Sequence, residues 1–219
     1  MLAKAESLSA QETICNSPGV TTILDEVTPL ILTHNEVPNI DRTIDKLNWA
    51  RSIVVVDSIS TDETRELVNK HPGAVWTERP FDSHANQWNY GLAQIETEWV
   101  LSLDADYQLS DELISEIAGL MPDETIAAYY VRFQYCVEGI PLRGSLYPPR
   151  AVLFRPSRCH FEQDGHTQIL RIDGQSGWLQ SFIYHDDRKP LARWLLAQDS
   201  YAKLEAQHLF NSATAGMNL

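Results

Sequence analysis

The sequence predicts an α/β protein in which helices cover both faces of a mostly parallel sheet. Residues 28–36 and 51–58 are apolar segments that end in polar side chains, and a helix-like stretch follows each of them. A third apolar segment, residues 98–107, ends in two carboxylates, Asp104 and Asp106. Strands that are apolar throughout and alternate with helices are typical of a parallel sheet buried on both sides.

Local signals predict the other elements of the first half. Residues 38–47 carry isoleucine and leucine at helical spacing, which predicts the first helix. Ser60, followed three residues later by Glu63, fits a capping box, so the second helix is expected to begin there. The remaining predicted elements are a strand at residues 74–77, a helix from Ser83 or His84 to Ile95, and a helix at residues 111–120 capped by Ser110.

The second half is predicted to be rich in strands, because glycine and proline separate short apolar stretches. A long helix is predicted from Pro190 to about Phe210, since proline suits the first turn of a helix. Its expected apolar face consists of Leu191, Trp194, Leu195, Tyr201 and Leu204. The predicted strands of this half are residues 125–133, 151–155, 168–172 and 178–184.

Length and composition are those of one globular domain. The chain has 219 residues and a net charge of −13, which argues against non-specific binding to nucleic acid or to an anionic membrane surface. An anionic ligand would therefore need local Lys and Arg residues or a metal ion. Three scattered cysteines predict reduced thiols and a cytoplasmic location. No apolar run is long enough to predict a secretory signal or a transmembrane span.

Acidic and amide side chains gather at the ends of three predicted strands. Asn35 and Glu36 close the first strand, Asp57 closes the second, and Asp104 and Asp106 close the strand of the D-x-D motif. Ligands of open α/β sheets bind beyond the carboxyl ends of the strands. Mg²⁺ and Mn²⁺ prefer carboxylates together with substrate phosphate oxygens. A solvated turn is the plain alternative for D-x-D, but three coincidences at one edge favour a metal and phosphate site.

This arrangement predicts different roles for the parts of the chain. Residues 28–122 are expected to hold a nucleotide and a metal ion, and residues 123–219 are expected to hold an acceptor. Residues 1–27 are mostly polar and are expected to form an N-terminal arm.

Four motifs in this order resemble family 2 glycosyltransferases of the GT-A fold: T-H-N-E, V-V-D-S-I-S-T-D, A-N-Q-W-N-Y-G-L and E-W-V-L-S-L-D-A-D. The later segments R-C-H-F-E-Q-D-G-H-T-Q and H-D-D-R-K-P-L-A-R-W resemble the bacterial branch that includes lipopolysaccharide-core β-glucosyltransferases. The resemblance implies a metal-dependent, inverting transfer of a sugar, with a UDP-hexose as the expected donor. The implied acceptor is a hydroxyl of a glycan or lipid-linked sugar in cell-surface glycan synthesis, which is compatible with peripheral association at the inner face of the membrane.

The resemblance also implies which residues bind the nucleotide. Thr33, Asn35 and Glu36 would line the nucleotide pocket, and Asp57 would hydrogen-bond the base, which is usually uracil in this family.

The D-x-D motif and one basic segment are expected to hold the diphosphate. By the resemblance, Asp104 would face the ribose or sugar and share in metal binding, while Asp106 would ligate Mg²⁺ or Mn²⁺. His185 is a candidate further ligand of the metal or the phosphate. Arg188 and Lys189 would neutralise the diphosphate in an otherwise acidic protein.

The catalytic base is not secured by a motif, because His166-Thr167 stands where related enzymes often carry a His-Glu pair. An inverting transfer needs a carboxylate that faces the aspartates from the second half of the chain. Asp164 is the first candidate and Glu162 the second, with His166 expected to orient the base or hold the acceptor.

Two other functions remain open at this point. The first is a nucleotide-sugar binder without activity, which the departure at His166-Thr167 allows. The second is a sugar-1-phosphate nucleotidyltransferase, which would have a glycine-rich, basic loop after the first strand. The segment T-H-N-E-V-P-N has neither property.

Overall fold

A computed structural model describes residues 22–144, 147–164 and 167–216. Its first half contains β1 (Val27–Thr33), α1 (Ile40–Asp45), β2 (Ile53–Asp57), α2 (Thr64–Val68), β3 (Ala74–Glu78), α3 (His84–Leu92), β4 (Trp99–Asp104), β5 (Tyr107–Leu109) and α4 (Asp111–Ala118). Its second half contains β6 (Ile126–Val137), β7 (Ile140–Pro141), β8 (Arg150–Phe154), β9 (Cys159–Asp164), β10 (Thr167–Ile172), β11 (Gln175–His185) and α5 (Leu191–Gly216).

One mixed sheet connects the two halves. Its strand order is β3-β2-β1-β4-β8-β6-β11-β5, with β7 paired to β6. Strands β3, β2, β1 and β4 are parallel, β8 is antiparallel to both β4 and β6, and β11 is parallel to β6. Strand β5 follows β4 in the chain but pairs with β11 at the far end of the sheet. The predicted α/β class and parallel first half are confirmed.

Strands β1, β2 and β4 are buried on both faces, as their continuous apolar sequence predicted, whereas β3 is partly exposed. Neighbouring residues of β1 enter different cores: Ile31 packs with α1 and α4, whereas Leu30 packs with α3 and β9. Both side chains are 0% exposed. Each face of the sheet therefore carries its own apolar layer, and the polar strand ends are left at the carboxyl edge.

Two helix starts match the sequence prediction and one does not. Ser83 and Ser110 cap α3 and α4 by accepting hydrogen bonds from backbone N–H groups three residues on. The capping box at Ser60 was wrong, because α2 begins at Thr64 and Ser60 hydrogen-bonds to Asp57 instead. The Ser60 hydroxyl therefore stabilises the loop after β2, whereas the sequence predicted that it caps α2.

The segment before residue 165 forms a strand that the sequence did not predict. Strand β9 pairs with β10, and Asn89 of α3 binds both backbone groups of Phe161, donating from Nδ2 to its carbonyl at 2.8 Å and accepting at Oδ1 from its N–H at 2.9 Å. The Asn89 side chain therefore binds the backbone groups of β9 that a second neighbouring strand would otherwise bind. The periodicity of the sequence does not reveal such a contact.

The last helix is longer than predicted, and its apolar residues are exposed in this structure. Leu191, Trp194 and Leu195 are 70%, 51% and 56% exposed. Within the described residues, the model contains no helix whose length and hydropathy would let it cross a membrane.

Close packing of α3 on β1 depends on Gly91. A Cβ atom at this position would lie 2.6 Å from Leu30 Cδ1 and 3.1 Å from Val56 Cγ2. Leu30 and Val56 are both 0% exposed, so neither side chain has free space into which it can move.

We expect Gly91→Ala to lower the free energy of unfolding by about 1–3 kcal/mol, because it overpacks the core between α3 and β1. Urea unfolding followed by far-UV circular dichroism measures the change. Gly119→Ala is the matched control, since its Cβ would approach backbone oxygens no closer than 3.6 Å at the end of α4. Equal free energies of unfolding for the two variants would contradict the close packing of α3 on β1 at Gly91.

Candidate active site

Asp57 ties the end of β1 to the loop after β2. Its Oδ2 accepts hydrogen bonds from Thr33 Oγ1 at 2.7 Å and Ser60 Oγ at 2.6 Å, and its Oδ1 accepts from the Ser60 N–H at 2.6 Å. Asp57 is 1% exposed. Two of the residues predicted to bind a nucleotide, Thr33 and Asp57, therefore form a buried frame beneath the edge.

The loops after β1 and β2 are joined by side chains into one surface. Asn35 adopts a φ of 55°, a left-handed conformation that asparagine tolerates better than most residues. Its Oδ1 accepts from the Thr61 N–H at 2.8 Å, and its own N–H donates to Ser60 Oγ at 2.7 Å. The N–H of Glu36 donates to Thr64 Oγ1 at 2.8 Å. Asn35 and Glu36 thus lie on a preorganised edge beside Thr33.

The D-x-D motif lies at the centre of this edge. Asp104 is the last residue of β4, and Asp106 lies in the turn before β5. Because β11 pairs with β5, His185 lies opposite Tyr107, and its Nε2 is 3.1 Å from Asp106 Oδ2. Of the three residues that the sequence predicted to hold a metal, Asp106 and His185 are therefore in contact, and Asp104 is close enough for its charge to act on His185.

Asp106 and His185 stabilise each other in charged form. Burial raises the pKa of Asp106, but the hydrogen bond and charge of His185 and the charge of Lys189 outweigh it, so the net pKa is lowered. Burial lowers the pKa of His185, but the hydrogen bond that His185 donates to Asp106 and the charges of Asp106 and Asp104 raise it overall. The hydrogen bond with His185 therefore favours the ionised form of the Asp106 carboxylate and fixes its orientation.

Lys189 reaches the same edge from the segment after β11. Its Nζ lies 2.5 Å from Glu36 Oε1, and the charge of Asp106 acts on both groups. Burial raises the pKa of Glu36 to about 7, with the positive charge of Lys189 opposing and the negative charge of Asp106 adding to the shift. Burial lowers the pKa of Lys189, but the charge of Glu36 raises it overall. Lys189 is thus a cation held between two acidic residues.

Asn39 connects this segment to α1, and sequence reasoning missed it. Its Nδ2 donates to Glu36 Oε2 at 2.9 Å and Asp187 Oδ1 at 2.8 Å. Its Oδ1 accepts from Arg42 Nη2 at 3.0 Å and from the Arg188 N–H at 2.8 Å. The residue is 0% exposed. No local pattern marks it, because its partners lie up to 149 residues away.

Arg188 is held by carboxylates beside the site. Its guanidinium donates to Asp186 Oδ2 at 2.7 Å and 2.8 Å and to Glu138 Oε2 at 2.7 Å. Arg42 also donates to Asp186 Oδ2, at 3.0 Å. Burial raises the pKa of Asp186, but the hydrogen bond from Arg188 lowers it overall. The charge of Arg188 is therefore compensated in this structure, where the sequence had predicted a contact with phosphate.

The residues at this edge fit a divalent cation that takes part of its coordination from a ligand. Over residues 22–144, 147–164 and 167–216, no group of three or more His, Cys, Asp or Glu side chains is arranged to hold a metal ion. Asp104 and Asp106 offer two carboxylates, and His185 Nδ1 is buried with no hydrogen-bond partner in that part of the chain. Mg²⁺ and Mn²⁺ are commonly held by one or two carboxylates plus substrate phosphates.

The end of β9 contacts the first turn of α3. Asp164 ends β9 opposite Thr167, and the neighbouring Gln163 Oε1 accepts from the Ala85 N–H at 3.1 Å. Ala85 lies in the first turn of α3, which begins on the carboxyl side of the sheet. Asp164 is exposed there. His166, predicted to orient the base, lies outside the described residues.

Glu162, the second candidate base, is engaged on the hairpin. Its Oε2 accepts from Arg171 Nε at 2.7 Å, and its Oε1 lies 3.3 Å from His160 Nε2. The hydrogen bond from Arg171, followed by that of His160, lowers the pKa of Glu162. A carboxylate held this way is a weaker base.

Aromatic side chains surround His185, and the sequence analysis did not identify them. Tyr135 stacks on its ring with centroids 4.5 Å apart, and Tyr107 and Tyr147 meet it edge-on at 5.1 Å and 5.5 Å. Burial and the negative charges of Asp104 and Asp106 also raise the pKa of Tyr201 of α5. These tyrosines come from separated segments, so only strand pairing brings them together.

Comparison with known proteins identifies the family. Residues 30–177 match the family model described as Glycosyl transferase family 2. The chain belongs to this family. An uncharacterised glycosyltransferase of Rickettsia bellii is 34% identical over 93 residues, which are 42% of this chain and 31% of that protein. This family 2 chain thus spans about a third of the length of that relative.

A second relative matches most of the chain. The lipopolysaccharide core biosynthesis glycosyltransferase LpsC of Rhizobium meliloti is 26% identical over 195 residues, 83% of this chain and 71% of its own length.

Solved structures show the fold of this family 2 protein. TarS of S. aureus, residues 1–349 in complex with UDP-GlcNAc, has a TM-score of 0.58 at 17% identity, covering 75% of this chain and 59% of that one. Mannosyltransferase PcManGT of Pyrobaculum calidifontis, in complex with GDP-Man and Mn²⁺, has a TM-score of 0.57 at 19% identity, covering 91% and 68%. The fold is the GT-A fold that the sequence motifs predicted.

We expect Asn39→Ala to lower the free energy of unfolding by about 2–4 kcal/mol, because it leaves buried carboxylate and N–H groups without partners. Urea unfolding measures the loss. Asn48→Ala is the matched control, since Asn48 is exposed and donates only to the nearby Asp45 carbonyl in this structure, so a change within about 0.5 kcal/mol is expected. A similar loss in both variants would show that Asn39 does not organise the site.

Proposed function

We propose that this protein transfers a sugar, with inversion, from a nucleoside diphosphate sugar to a hydroxyl group of a glycan or lipid-linked acceptor. The observation that carries the proposal is the placement of Asp104 and Asp106 at the carboxyl end of β4, with His185 orienting Asp106. Two carboxylates at this edge, one of them held by His185, suit a divalent cation bound to a diphosphate.

The nucleotide binds over the ends of β1 and β2 in this proposal. Asn35 and Glu36 lie on the surface of the joined loops, and Thr33 and Asp57 support that surface from below. The base is recognised at the Asp57 end, and the ribose and sugar extend toward Asp104. UDP-GlcNAc in TarS and GDP-Man in PcManGT support this class of donor, and a UDP-hexose is our first choice.

The diphosphate binds between the D-x-D motif and Lys189. Asp106, with Asp104 and His185 beside it, would hold Mg²⁺ or Mn²⁺, and the Mn²⁺ in the PcManGT complex supports that choice. Such a cation, when bound, supplies a Lewis acid at the departing diphosphate oxygen. Lys189 lies close enough to Asp106 for its charge to act there. Arg188 holds the segment in place through Asp186 and Glu138.

Asp164 is the proposed base. It removes the proton of the acceptor hydroxyl as that oxygen attacks the anomeric carbon from the face opposite the leaving diphosphate. Asp164 is exposed at the end of β9, and the hydrogen bonds from Arg171 and His160 lower the pKa of Glu162, the second candidate. His166 is proposed to orient Asp164 or the acceptor. The name of LpsC supports a role in lipopolysaccharide synthesis.

We expect UDP to bind roughly tenfold or more tightly with Mn²⁺ than with EDTA, because the cation joins the diphosphate to Asp104 and Asp106. Isothermal titration calorimetry measures both affinities. Asp106→Asn should bind UDP equally weakly with and without Mn²⁺. Asp45→Asn, an exposed residue at the end of α1, is the control and should keep the dependence. Equal wild-type affinity in Mn²⁺ and EDTA would reject the metal bridge.

We expect Asp164→Asn to bind the donor normally and to turn it over about 10²–10⁴-fold more slowly, as loss of a general base does. Glu162→Gln is the matched control and should retain near-normal turnover. The measurement is hydrolysis or transfer across UDP-, GDP- and TDP-sugars with Mn²⁺ or Mg²⁺. Loss in Glu162→Gln alone would move the role to Glu162. No turnover of any donor by the wild type, despite binding, would identify a nucleotide-sugar binder.

A further inference from the structure

Arg150 lies at the D-x-D edge by strand register. Strand β8 pairs antiparallel with β4 through Val100–Phe154 and Leu101–Leu153. Ser102 Oγ donates to the Val152 carbonyl at 3.3 Å, so the two backbones stay side by side beyond those pairs. Because the two strands are antiparallel, Arg150, the first residue of β8, lies at the same end of the pair as Asp104, the last residue of β4.

An aromatic ring supports the guanidinium of Arg150. Its Cζ lies 4.4 Å from the centre of the Tyr147 ring, and Tyr107 Oη donates to Tyr147 Oη at 2.9 Å. The Tyr147 ring also meets the ring of His185 edge-on, with centroids 5.5 Å apart. The same ring therefore contacts the Arg150 guanidinium and a side chain of the D-x-D edge.

The charge of Arg150 is not compensated within the described part of the chain. Arg42, Arg188 and Lys189 each form an ion pair with a carboxylate at 3.0 Å or less. Arg150 forms none among residues 22–144, 147–164 and 167–216, although it is only partly exposed. An arginine held against a ring with its donors unused by carboxylates is suited to bind an anion.

The position of Arg150 separates it from the nucleotide. In the sheet β4 lies between β1 and β8, so Arg150 is on the side of Asp104 away from Thr33 and Asp57. An anion bound there lies next to the transferred sugar, where an acceptor must approach. A protein of net charge −13 repels an anionic acceptor unless a local cation offsets that field.

We propose that Arg150, supported by the ring of Tyr147, binds a phosphate or carboxylate group carried by the acceptor. This inference rests on the proposed function, because it assigns the acceptor class of the same site. The planar guanidinium makes two parallel hydrogen bonds to either anion, which sets the orientation of the acceptor as well as its affinity.

The test measures binding of small probes to the protein saturated with UDP and Mn²⁺. Glycerol 3-phosphate and glucuronate represent the two anions, and glycerol and glucose are the neutral controls. Both anions should bind more tightly than the neutral probes by NMR titration. Arg150→Gln should weaken anion binding roughly 10- to 100-fold and leave UDP affinity unchanged, and Arg150→Lys should give an intermediate loss. The preferred anion distinguishes phosphate from carboxylate.

Arg132→Gln is the matched control, because Arg132 also lies over a ring, 5.8 Å from the centre of Trp178, but in the middle of β6. It should bind the anions like the wild type.

Equal anion binding in Arg150→Gln and Arg132→Gln, or no preference of the wild type for anions, overturns the proposal. A loss of UDP affinity in Arg150→Gln also overturns the proposal, because it would show that Arg150 binds the donor. Failure of the wild type to bind UDP with Mn²⁺ rejects the proposed function separately, and the anions are then titrated against the unliganded protein.

Discussion

The pairing of β11 with both β5 and β6 is the constraint on which the site depends. Strand β5 begins one residue after Asp106, so its register against β11 sets the distance between Asp106 and His185. The same pairing places the segment after β11 beside the residues that follow β1. There Asn39 Oδ1 accepts a hydrogen bond from the Arg188 N–H. A slip of one residue in β11 would turn His185 away from Asp106 and separate Lys189 from Glu36.

Charge balance explains how an acidic protein builds this edge. Buried ionic groups are stable only when they are paired and hydrogen-bonded. Asp186 lies between two arginines, and Lys189 lies between Glu36 and Asp106. These pairs compensate most of the local charge before a ligand arrives. Arg150 forms no ion pair within the described residues, and Lys189 pairs with Glu36 at the ligand edge, so these two cations are the ones placed to act on a ligand.

Sequence reasoning succeeded where the signal was local. The strands ending at Thr33, Asp57 and Asp104 follow from continuous apolar runs, and the starts of α3 and α4 follow from serine caps. It failed where a distant group competed for the same atoms. Ser60 binds Asp57 rather than capping α2, and β9 forms because Asn89 of α3 satisfies the backbone of Phe161.

The sequence by itself determined the family, the alternation of strands and helices in the first half and the carboxylates that end those strands, because apolar periodicity and short motifs are local properties. Only the tertiary structure decided which charged residues of the second half face those carboxylates. Arg188 and Lys189 are adjacent in sequence, yet one is held by Asp186 and Glu138 and the other reaches Glu36. Asn39 and Arg150 carry no local signal at all. Their roles come from contacts between segments that are far apart in the chain, which strand pairing alone brings together.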